Sequence, residues 1–347
     1  MKMQSRRLAA LVAVGLTATL SMTACGNKND ANGASGASGG SNTAAASITF
    51  LPKNLGNPYF DTSDAGGKKA IDELGGTYAE VGPDTATPDS QVQFINTAAQ
   101  QGVDALVVSA NDPNAICSAL NDASSAGTKI VTFDSDTDPS CRDLYVNQAD
   151  AAGIAKVQVD MIAQQIGDSG EVAILSAAAN ATNQNAWIDL MKKDLADNHP
   201  NITLVDTVYG DDDDQTSFDK TAALLQSHPN LKGIISPTTV GIAAAARYLS
   251  TSDAKGKVAL TGLGTPNQMR EYVKDGTVTE FALWNPADLG YLAAYAADAL
   301  VKGDITGAEG DTFSAGDLGE YTVGADSVVL LGDPFKFNKG NIDDFDF

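Results

Sequence analysis

The feature that most limits what this chain can fold into is an alternation of strand-like and helix-like segments along most of its length. Short apolar runs typical of buried strands are followed by longer segments whose apolar residues recur at helical spacing. Such an alternation predicts βαβ units, parallel sheets and right-handed crossovers. The predicted strands are 48–51, 77–81, 105–109, 129–133, 172–175, 202–209, 233–235, 258–262 and 278–283. The predicted helices are 59–74, 89–101, 113–126, 185–198, 217–226, 242–249, 268–275 and 287–301.

The alternation runs twice, which predicts an α/β protein of two similar doubly wound lobes. Neither run carries a complete phosphate-binding motif. The Gly-Gly-Lys-Lys sequence at 66–69 falls inside a predicted helix, and the Gly-Leu-Gly-Thr sequence at 262–265 does not complete a dinucleotide fingerprint. The sequence therefore does not support nucleotide chemistry.

The charge balance excludes another class of partner. The 347 residues include 22 Lys or Arg and 44 Asp or Glu, a formal net charge of −22. A nucleic-acid partner is not expected, because phosphate binding needs a basic surface. Two His and three Cys leave little material for a zinc site with several ligands, so we expect no metal and no cofactor.

The N-terminus has the features of an export signal. Lys2, Arg6 and Arg7 precede an apolar run over 8–22, small residues follow, and Cys25 comes next. The Cys with its preceding residues resembles a bacterial lipobox, so we expect residues 1–24 to be removed and Cys25 to be lipidated. An ordinary cleaved signal is the alternative. With 25–46 as a flexible Gly- and Ser-rich tether, the folded part would lie outside the cytoplasm, anchored by lipid to the outer face of the membrane.

Two cysteines remain once Cys25 is assigned to the lipid. In an oxidising compartment outside the cytoplasm, Cys117 and Cys141 are expected to pair. The loop that they close would be worth roughly 3.5 kcal/mol in the chain-entropy model.

Polar and aromatic residues follow the predicted strands, at the sheet edge where parallel α/β proteins bind ligands. Carboxylates and amides accept hydrogen bonds from hydroxyl groups, and aromatic rings cover C–H faces, so this lining suits a neutral sugar. The expected ligand-binding residues are Lys53, Asn57, Tyr59, Phe60, Asn111, Asp134, Asp136, Asn183, Gln184, Pro237, Thr239, Thr265, Trp284 and Asn285. Asn54, Ser109, Trp187, Thr238 and Asn267 occupy similar places in the pattern.

Several of these residues have a structural alternative. Trp187 is interpreted as part of a helix face in the core, with Met191 and Leu195 at steps of four. Asp136 can serve as a turn former before a Thr-Asp-Pro sequence. The acidic run 211–214 lacks the Gly and Glu of a calcium loop, so we interpret it as a solvated loop that leads into a helix.

Seven short segments carry a resemblance to a known family. The opening ITFLPKNLGNPYF over 48–60 resembles sugar-binding proteins of the ribose-binding, periplasmic-binding-protein type I group. A narrower branch, the rhamnose-binding and Lsr-type autoinducer-2-binding proteins of ABC importers, is similar at further positions. These are FDSD at 133–136 with CR at 141–142 and VNQ at 146–148, NQNAW at 183–187, GTPN at 264–267, and LW at 283–284.

The resemblance covers essentially all of 47–347 and implies a two-lobed clamp with a three-segment hinge. The N-terminal lobe would comprise 47–147 and 285–318, and the C-terminal lobe 148–284 and 319–347. The branch's ligand contacts fall on Lys53, Asp134, Gln184 and Pro237. The resemblance implies a monomeric, non-enzymatic protein that binds a small sugar and docks to an ABC permease.

Two positions depart from the autoinducer-2 pattern. Asn183 stands where that subfamily has an Asp, and Thr239 stands where it has a small Ala. Loss of a carboxylate removes a strong hydroxyl acceptor, and the bulkier Thr changes the shape of the pocket. The sequence therefore favours rhamnose or a related 6-deoxyhexose, with autoinducer-2 or a pentose as the alternative.

Three other classes share parts of this pattern. A LacI-like repressor has a similar two-lobed core but needs an N-terminal helix-turn-helix, where this chain has a signal and a tether. A surface hydrolase needs an activated nucleophile or paired carboxylates, and Asp134 with Asp136 is the one close pair. A receptor that presents a sugar to a membrane sensor remains open.

Overall fold

Two parallel sheets organise the computed structural model, which describes residues 45–347. The predicted signal, Cys25 and nearly all of the predicted tether lie outside the described residues. The strands are β1 Ser47–Leu51, β2 Thr77–Glu80, β3 Ala105–Val108, β4 Lys129–Phe133, β5 Leu144–Asn147, β6 Gly170–Ser176, β7 Ile202–Tyr209, β8 Leu231–Ser236, β9 Ala259–Gly262, β10 Glu280–Leu283, β11 Thr312–Ser314, β12 Glu320–Thr322, β13 Val328–Leu330 and β14 Phe335–Asn338. The helices are α1 Pro58–Leu74, α2 Val92–Gln101, α3 Cys117–Ser125, α4 Ala151–Ile166, α5 Thr182–Asn198, α6 Asp214–Ser227, α7 Thr239–Thr251, α8 Pro266–Lys274 and α9 Pro286–Lys302.

The predicted fold class is confirmed. The first sheet has the order β13-β5-β4-β3-β1-β2, and all of its pairs are parallel. The second sheet has the parallel order β7-β6-β8-β9. A parallel bridge between Leu263 and Ala282 sets β10 beside β9, and β14 pairs with β10 in the antiparallel direction. Helices that pack against the sheets connect the strands, as right-handed parallel folds require.

The chain passes between the two lobes three times. The first passage follows β5, because α4 packs against β8 and β9 of the second sheet. The second follows β10, because α9 packs against α1 and the strands of the first sheet. The third lies between β13 in the first sheet and β14 beside β10. Three connections of this kind can form a hinge.

The structure differs from the sequence-based prediction at several elements. The strand β5, the helix α4 and the four strands after residue 311 were not predicted. The predicted lobe boundary at residue 318 also differs, because Val328–Leu330 pairs with β5 in the first sheet. The strands β11, β12 and β13 have three residues each, which is too few for a periodic pattern.

The helices α1 and α9 pack against the first sheet and against each other, and they cross at glycines. A Cβ at Gly66 would lie 1.9 Å from the backbone oxygen of Ala287, and a Cβ at Gly290 would lie 1.8 Å from that of Ser63. The two backbones therefore touch directly. Only glycine permits this approach, because any side chain would displace one helix from the other.

Both helices begin with the same local chemistry. The Asn57 side chain caps α1 by accepting from the backbone N–H of Tyr59, and Asn285 caps α9 by accepting from that of Ala287. A proline follows each cap at the first helical position, where its missing N–H costs nothing. The aromatic residues beside these caps are thereby placed at the same end of the first sheet.

The predicted disulfide joins Cys117 at the start of α3 to Cys141, with a Cα–Cα distance of 5.5 Å. It ties α3 to the segment that follows β4. Within residues 45–347, no helix combines the length and the apolar character that a membrane crossing requires.

The glycine crossing generates a stability prediction. We expect Gly290→Ala to lower the free energy of unfolding by about 1–3 kcal/mol, because the added methyl group forces α1 and α9 apart. Thermal unfolding of the purified protein measures this change.

The matched control is Gly153→Ala near the start of α4. A Cβ at Gly153 meets nothing nearer than an Asp150 carboxylate oxygen at 3.7 Å. This variant should be unchanged or more stable by about 0.5 kcal/mol, because alanine has the higher helix propensity. Equal destabilisation by both substitutions would contradict the close crossing.

Candidate functional site

A cleft lies where the carboxyl ends of strands from both sheets meet. It contains about 360 Å³ of empty space, part of it open to solvent. The lining residues are Lys53, Asn57, Tyr59, Phe60, Asp134, Gln184, Trp187, Asp212, Pro237, Thr238, Thr239, Leu263, Leu283 and Trp284. All of them lie at the end of a strand, in the loop after it or in the first two turns of the next helix, which is where ligands bind in open parallel sheets.

Asp134 is the most constrained polar residue of the cleft. Its side chain is buried, and its backbone has a φ of 59°, an unusual value for a residue with a side chain. Tyr59 donates to Oδ1 at 3.0 Å, Ser109 donates to Oδ2 at 2.8 Å, and the Lys53 ammonium lies 3.9 Å from Oδ2. Burial raises the pKa of this carboxyl above its usual value, while Lys53 and the two hydroxyl donors oppose that rise.

An aromatic wall stands beside Asp134. The Trp284 indole N–H donates to the Tyr59 hydroxyl at 2.8 Å, and that hydroxyl donates onward to the Asp134 carboxylate. Tyr59 meets Phe60 and Trp284 edge to face, and Trp187 meets Trp284 in the same way. Burial and the neighbouring Asp134 raise the pKa of the Tyr59 phenol well above its usual value, so it stays a hydrogen-bond donor. The relay fixes the orientation of both the ring and the carboxylate.

Lys53 reaches across the cleft from the first lobe to the second. Its ammonium donates to the Asn183 side-chain oxygen at 3.1 Å, at the start of α5. Asn111 holds the loop that carries Lys53, because its amide donates to the Lys53 carbonyl oxygen at 2.9 Å. Gln91 supports the same loop by donating to the Pro52 and Ser109 carbonyl oxygens. Buried amide side chains thus hold the loop that carries Lys53 and fix the position of its ammonium group.

The second lobe presents hydrogen-bond acceptors to the cleft. The side-chain oxygen of Gln184 is buried and has no hydrogen-bond partner among residues 45–347. Asp212 is partly buried, and one of its carboxylate oxygens accepts from the Thr238 hydroxyl. A buried acceptor without a partner carries a cost of about 1–3 kcal/mol, which a hydroxyl group of a ligand would offset.

Nine of the fourteen predicted ligand-binding residues line the cleft. They are Lys53, Asn57, Tyr59, Phe60, Asp134, Gln184, Pro237, Thr239 and Trp284. Two others support the lining without forming it: Asn111 holds the Lys53 loop, and Asn183 accepts from the Lys53 ammonium.

The remaining three predicted residues do other work. Asp136 forms a bidentate ion pair with Arg142, with N–O distances of 2.7 and 2.9 Å, and Arg142 also donates to the carbonyl oxygens of Asp326 and Ser327 before β13. Asn285 caps α9, and the Thr265 hydroxyl donates to the Gln268 side chain at the start of α8. These residues fix the surrounding chain and are not part of the cleft lining.

Several lining residues were not expected to bind a ligand. Trp187 belongs to the buried core, as interpreted from its helix, but it also lines the cleft. The interpretation of 211–214 as a solvated loop is wrong for Asp212, which lines the cleft from the loop between β7 and α6. Its place after a strand is a signal that could have identified it. Leu263 and Leu283 are apolar strand ends and carry no such signal.

Comparison with known proteins agrees with this geometry. The family model of the periplasmic binding protein domain matches residues 48–305. The crystal structure of a sugar ABC transporter from Actinomyces odontolyticus is 57% identical with a TM-score of 0.71, and the match covers 87% of this chain and 98% of that one. A solute binding protein from Clostridium phytofermentas with bound L-rhamnose is 41% identical with a TM-score of 0.84, at the same coverage. LsrB from Clostridium saccharobutylicum in complex with AI-2 is 28% identical with a TM-score of 0.81, covering 86% of this chain and 99% of that one.

The family model spans most of the chain. The matches to the two structures with the highest identity among these three cover nearly the whole length of those proteins. The chain therefore belongs to the periplasmic binding protein family, whose members bind solutes and are not enzymes.

Proposed function

We propose that this chain is the extracytoplasmic solute-binding lipoprotein of an ABC sugar importer and that it binds a rhamnose-like monosaccharide. The observation that carries the proposal is the pairing of the buried Asp134 carboxylate with the aromatic wall of Tyr59 and Trp284. A 6-deoxyhexose has hydroxyl groups for the acceptors and an apolar methyl group and ring face for the aromatic residues. The relative from Clostridium phytofermentas carries L-rhamnose and supports this choice.

In the proposed mechanism the sugar bridges the two lobes and shifts the population of the protein towards a closed form. Lys53 and Asp134 would hold the sugar from the first lobe, and Gln184 and Thr239 would contact it from the second. Because the lobes are joined by three short segments, closure needs changes in only a few backbone angles. The closed protein would then deliver the sugar to the permease, anchored near it through lipid on Cys25.

Autoinducer-2 is the second candidate, because LsrB with AI-2 is also similar to this chain. Asn183 and Thr239 argue against it. The Asn183 side chain accepts a hydrogen bond from the Lys53 ammonium but is neutral, whereas the Asp of the autoinducer-2 pattern would neutralise that charge. Thr239 lines the cleft, so its larger side chain changes the space that the Ala of that pattern leaves open.

A thermal-shift panel tests the proposal directly. It compares L-rhamnose, L-fucose, D-ribose, D-xylose and autoinducer-2, with calorimetry on any ligand that shifts the unfolding temperature. We expect L-rhamnose at about 100 times its dissociation constant to raise the unfolding temperature by several degrees, since binding adds about 2.7 kcal/mol to the native state. A shift with autoinducer-2 alone would overturn the choice of sugar, and no shift with any compound would overturn the proposed function.

Substitution of Asp134 tests its role in binding. We expect Asp134→Asn to weaken L-rhamnose binding roughly 10- to 150-fold, because a hydrogen bond to a charged group is worth about 1.5–3 kcal/mol. Calorimetry measures the loss. The matched control is Asp136→Asn. It removes a carboxylate that lies two residues further along the chain and does not line the cleft. Its affinity should stay within about threefold of the original, and an equal loss in both variants would point to damage of the loop.

The raised pKa of Asp134 predicts that affinity depends on pH. The sugar hydroxyls donate to the ionised carboxylate, so bound sugar favours the ionised form and opposes the effect of burial. Affinity should therefore be highest above the pKa of the free protein's Asp134 and should fall as the pH drops through it. Calorimetry from about pH 7 to about pH 4 measures this slope. Asp134→Asn should lack it, and an equal slope in that variant would assign the effect to another group.

A further inference from the structure

One carboxylate of the cleft has no role in the proposed function so far. Asp212 lies in the loop between β7 and α6, within four consecutive aspartates. Its neighbours are used elsewhere: Asp213 caps α6 by accepting from Thr216, Asp214 pairs with Arg247, and Asp211 is exposed. Of the four, Asp212 alone lines the cleft.

The backbone and one hydrogen bond place the Asp212 carboxylate. Asp211 and Asp212 have φ values of 55° and 51°, so the chain turns sharply at both. The Thr238 hydroxyl then donates to Oδ1 of Asp212, from the loop that follows β8. Within residues 45–347, no hydrogen bond or ion pair engages Oδ2. One oxygen is anchored to the wall and the other remains available to a ligand.

The charges of the cleft do not balance. Among the lining residues, which all belong to the described part of the chain, Lys53 is the one cation, while Asp134 and Asp212 are both carboxylates. Asp134 comes from the first lobe and Asp212 from the second. Burial raises the pKa of Asp212, the Lys53 ammonium lowers it, and Asp134 raises it again, so the three charges act on one another. With both carboxylates ionised, the lining carries one net negative charge.

We propose that Asp212 contacts the ligand and that, together with Asp134, it makes the site select neutral sugars and reject anionic ones such as hexuronates and sugar phosphates. This inference rests on the proposed function, because it names the class of sugar that the same cleft accepts. Ionised carboxylates accept hydrogen bonds from hydroxyl groups and cannot donate. A ligand carboxylate in the same cleft would be repelled by two carboxylates, and only one ammonium group, that of Lys53, would attract it.

The test compares Asp212→Asn with Asp211→Asn. The control removes the same charge from the adjacent exposed position, so it separates contact in the cleft from the general charge of the loop. The probes are L-rhamnose, measured by calorimetry, and D-galacturonate, measured by its competition with L-rhamnose. We expect Asp212→Asn to weaken L-rhamnose binding roughly 10- to 100-fold. The inhibition constant of D-galacturonate should itself fall by at least about fivefold, because the substitution removes one of the two like charges that its carboxylate meets. Asp211→Asn should leave both values unchanged.

Each result bears on a different statement. No binding of any neutral sugar by the unaltered protein would overturn the proposed function itself. Unchanged L-rhamnose affinity in Asp212→Asn would overturn the contact alone. Weaker L-rhamnose binding in Asp212→Asn, without a lower inhibition constant for D-galacturonate or with no competition by D-galacturonate, would overturn the selection against anions.

A second variant keeps the proposal testable if Asp212→Asn does not fold. Thr238→Val removes the hydroxyl that anchors Oδ1 but retains the charge of Asp212. It should weaken L-rhamnose binding less than Asp212→Asn does and should still reject D-galacturonate. Acceptance of D-galacturonate by Thr238→Val would contradict a selection based on charge.

Discussion

The crossing of α1 and α9 at Gly66 and Gly290 is the constraint on which the cleft depends. These two helices are more than two hundred residues apart in the chain, yet their backbones touch because neither glycine has a Cβ. The contact brings the first turn of α1 and Trp284, at the end of β10, to the same end of the first sheet. Trp284 can therefore donate to Tyr59, and Tyr59 can orient Asp134. Without that approach the aromatic wall and the carboxylate would be separate features.

The cleft is a place where the protein accepts a cost in stability. Burial disfavours the charged form of Asp134, and its ion pair with Lys53 is long, so the carboxylate is only partly compensated. Gln184 has a buried oxygen without a partner, and Asp212 adds a second carboxylate. Groups of this kind are more stable when a ligand donates hydrogen bonds to them. In the proposed mechanism, the sugar's hydrogen bonds to these groups would offset that cost on binding, and this would couple binding to closure of the two lobes.

How far the sequence could predict the site depended on what each residue does locally. Lys53, Asp134 and Trp284 follow buried apolar strands, so the sequence predicted both their position and their chemistry. Asp136 has the same chemistry and sits two residues from Asp134, but it pairs with Arg142. For Asp212 the error was the opposite one. Four consecutive aspartates indicated a solvent-exposed loop, but Asp212 lines the cleft. The short strand Val328–Leu330 was also missed, and with it the correct lobe boundary.

The sequence by itself determined the two-lobed parallel α/β fold, the pairing of Cys117 with Cys141 and the sheet edge at which the cleft forms. These follow from local periodicity, from the small number of cysteines and from the rule that parallel strands end on one side. Only the tertiary structure decided which carboxylates line the cleft and which form ion pairs outside it. The reason is physical: a side chain's partner is set by backbone turns and by contacts distant in the chain, such as those of Arg142 and Thr238, and neither leaves a periodic signal.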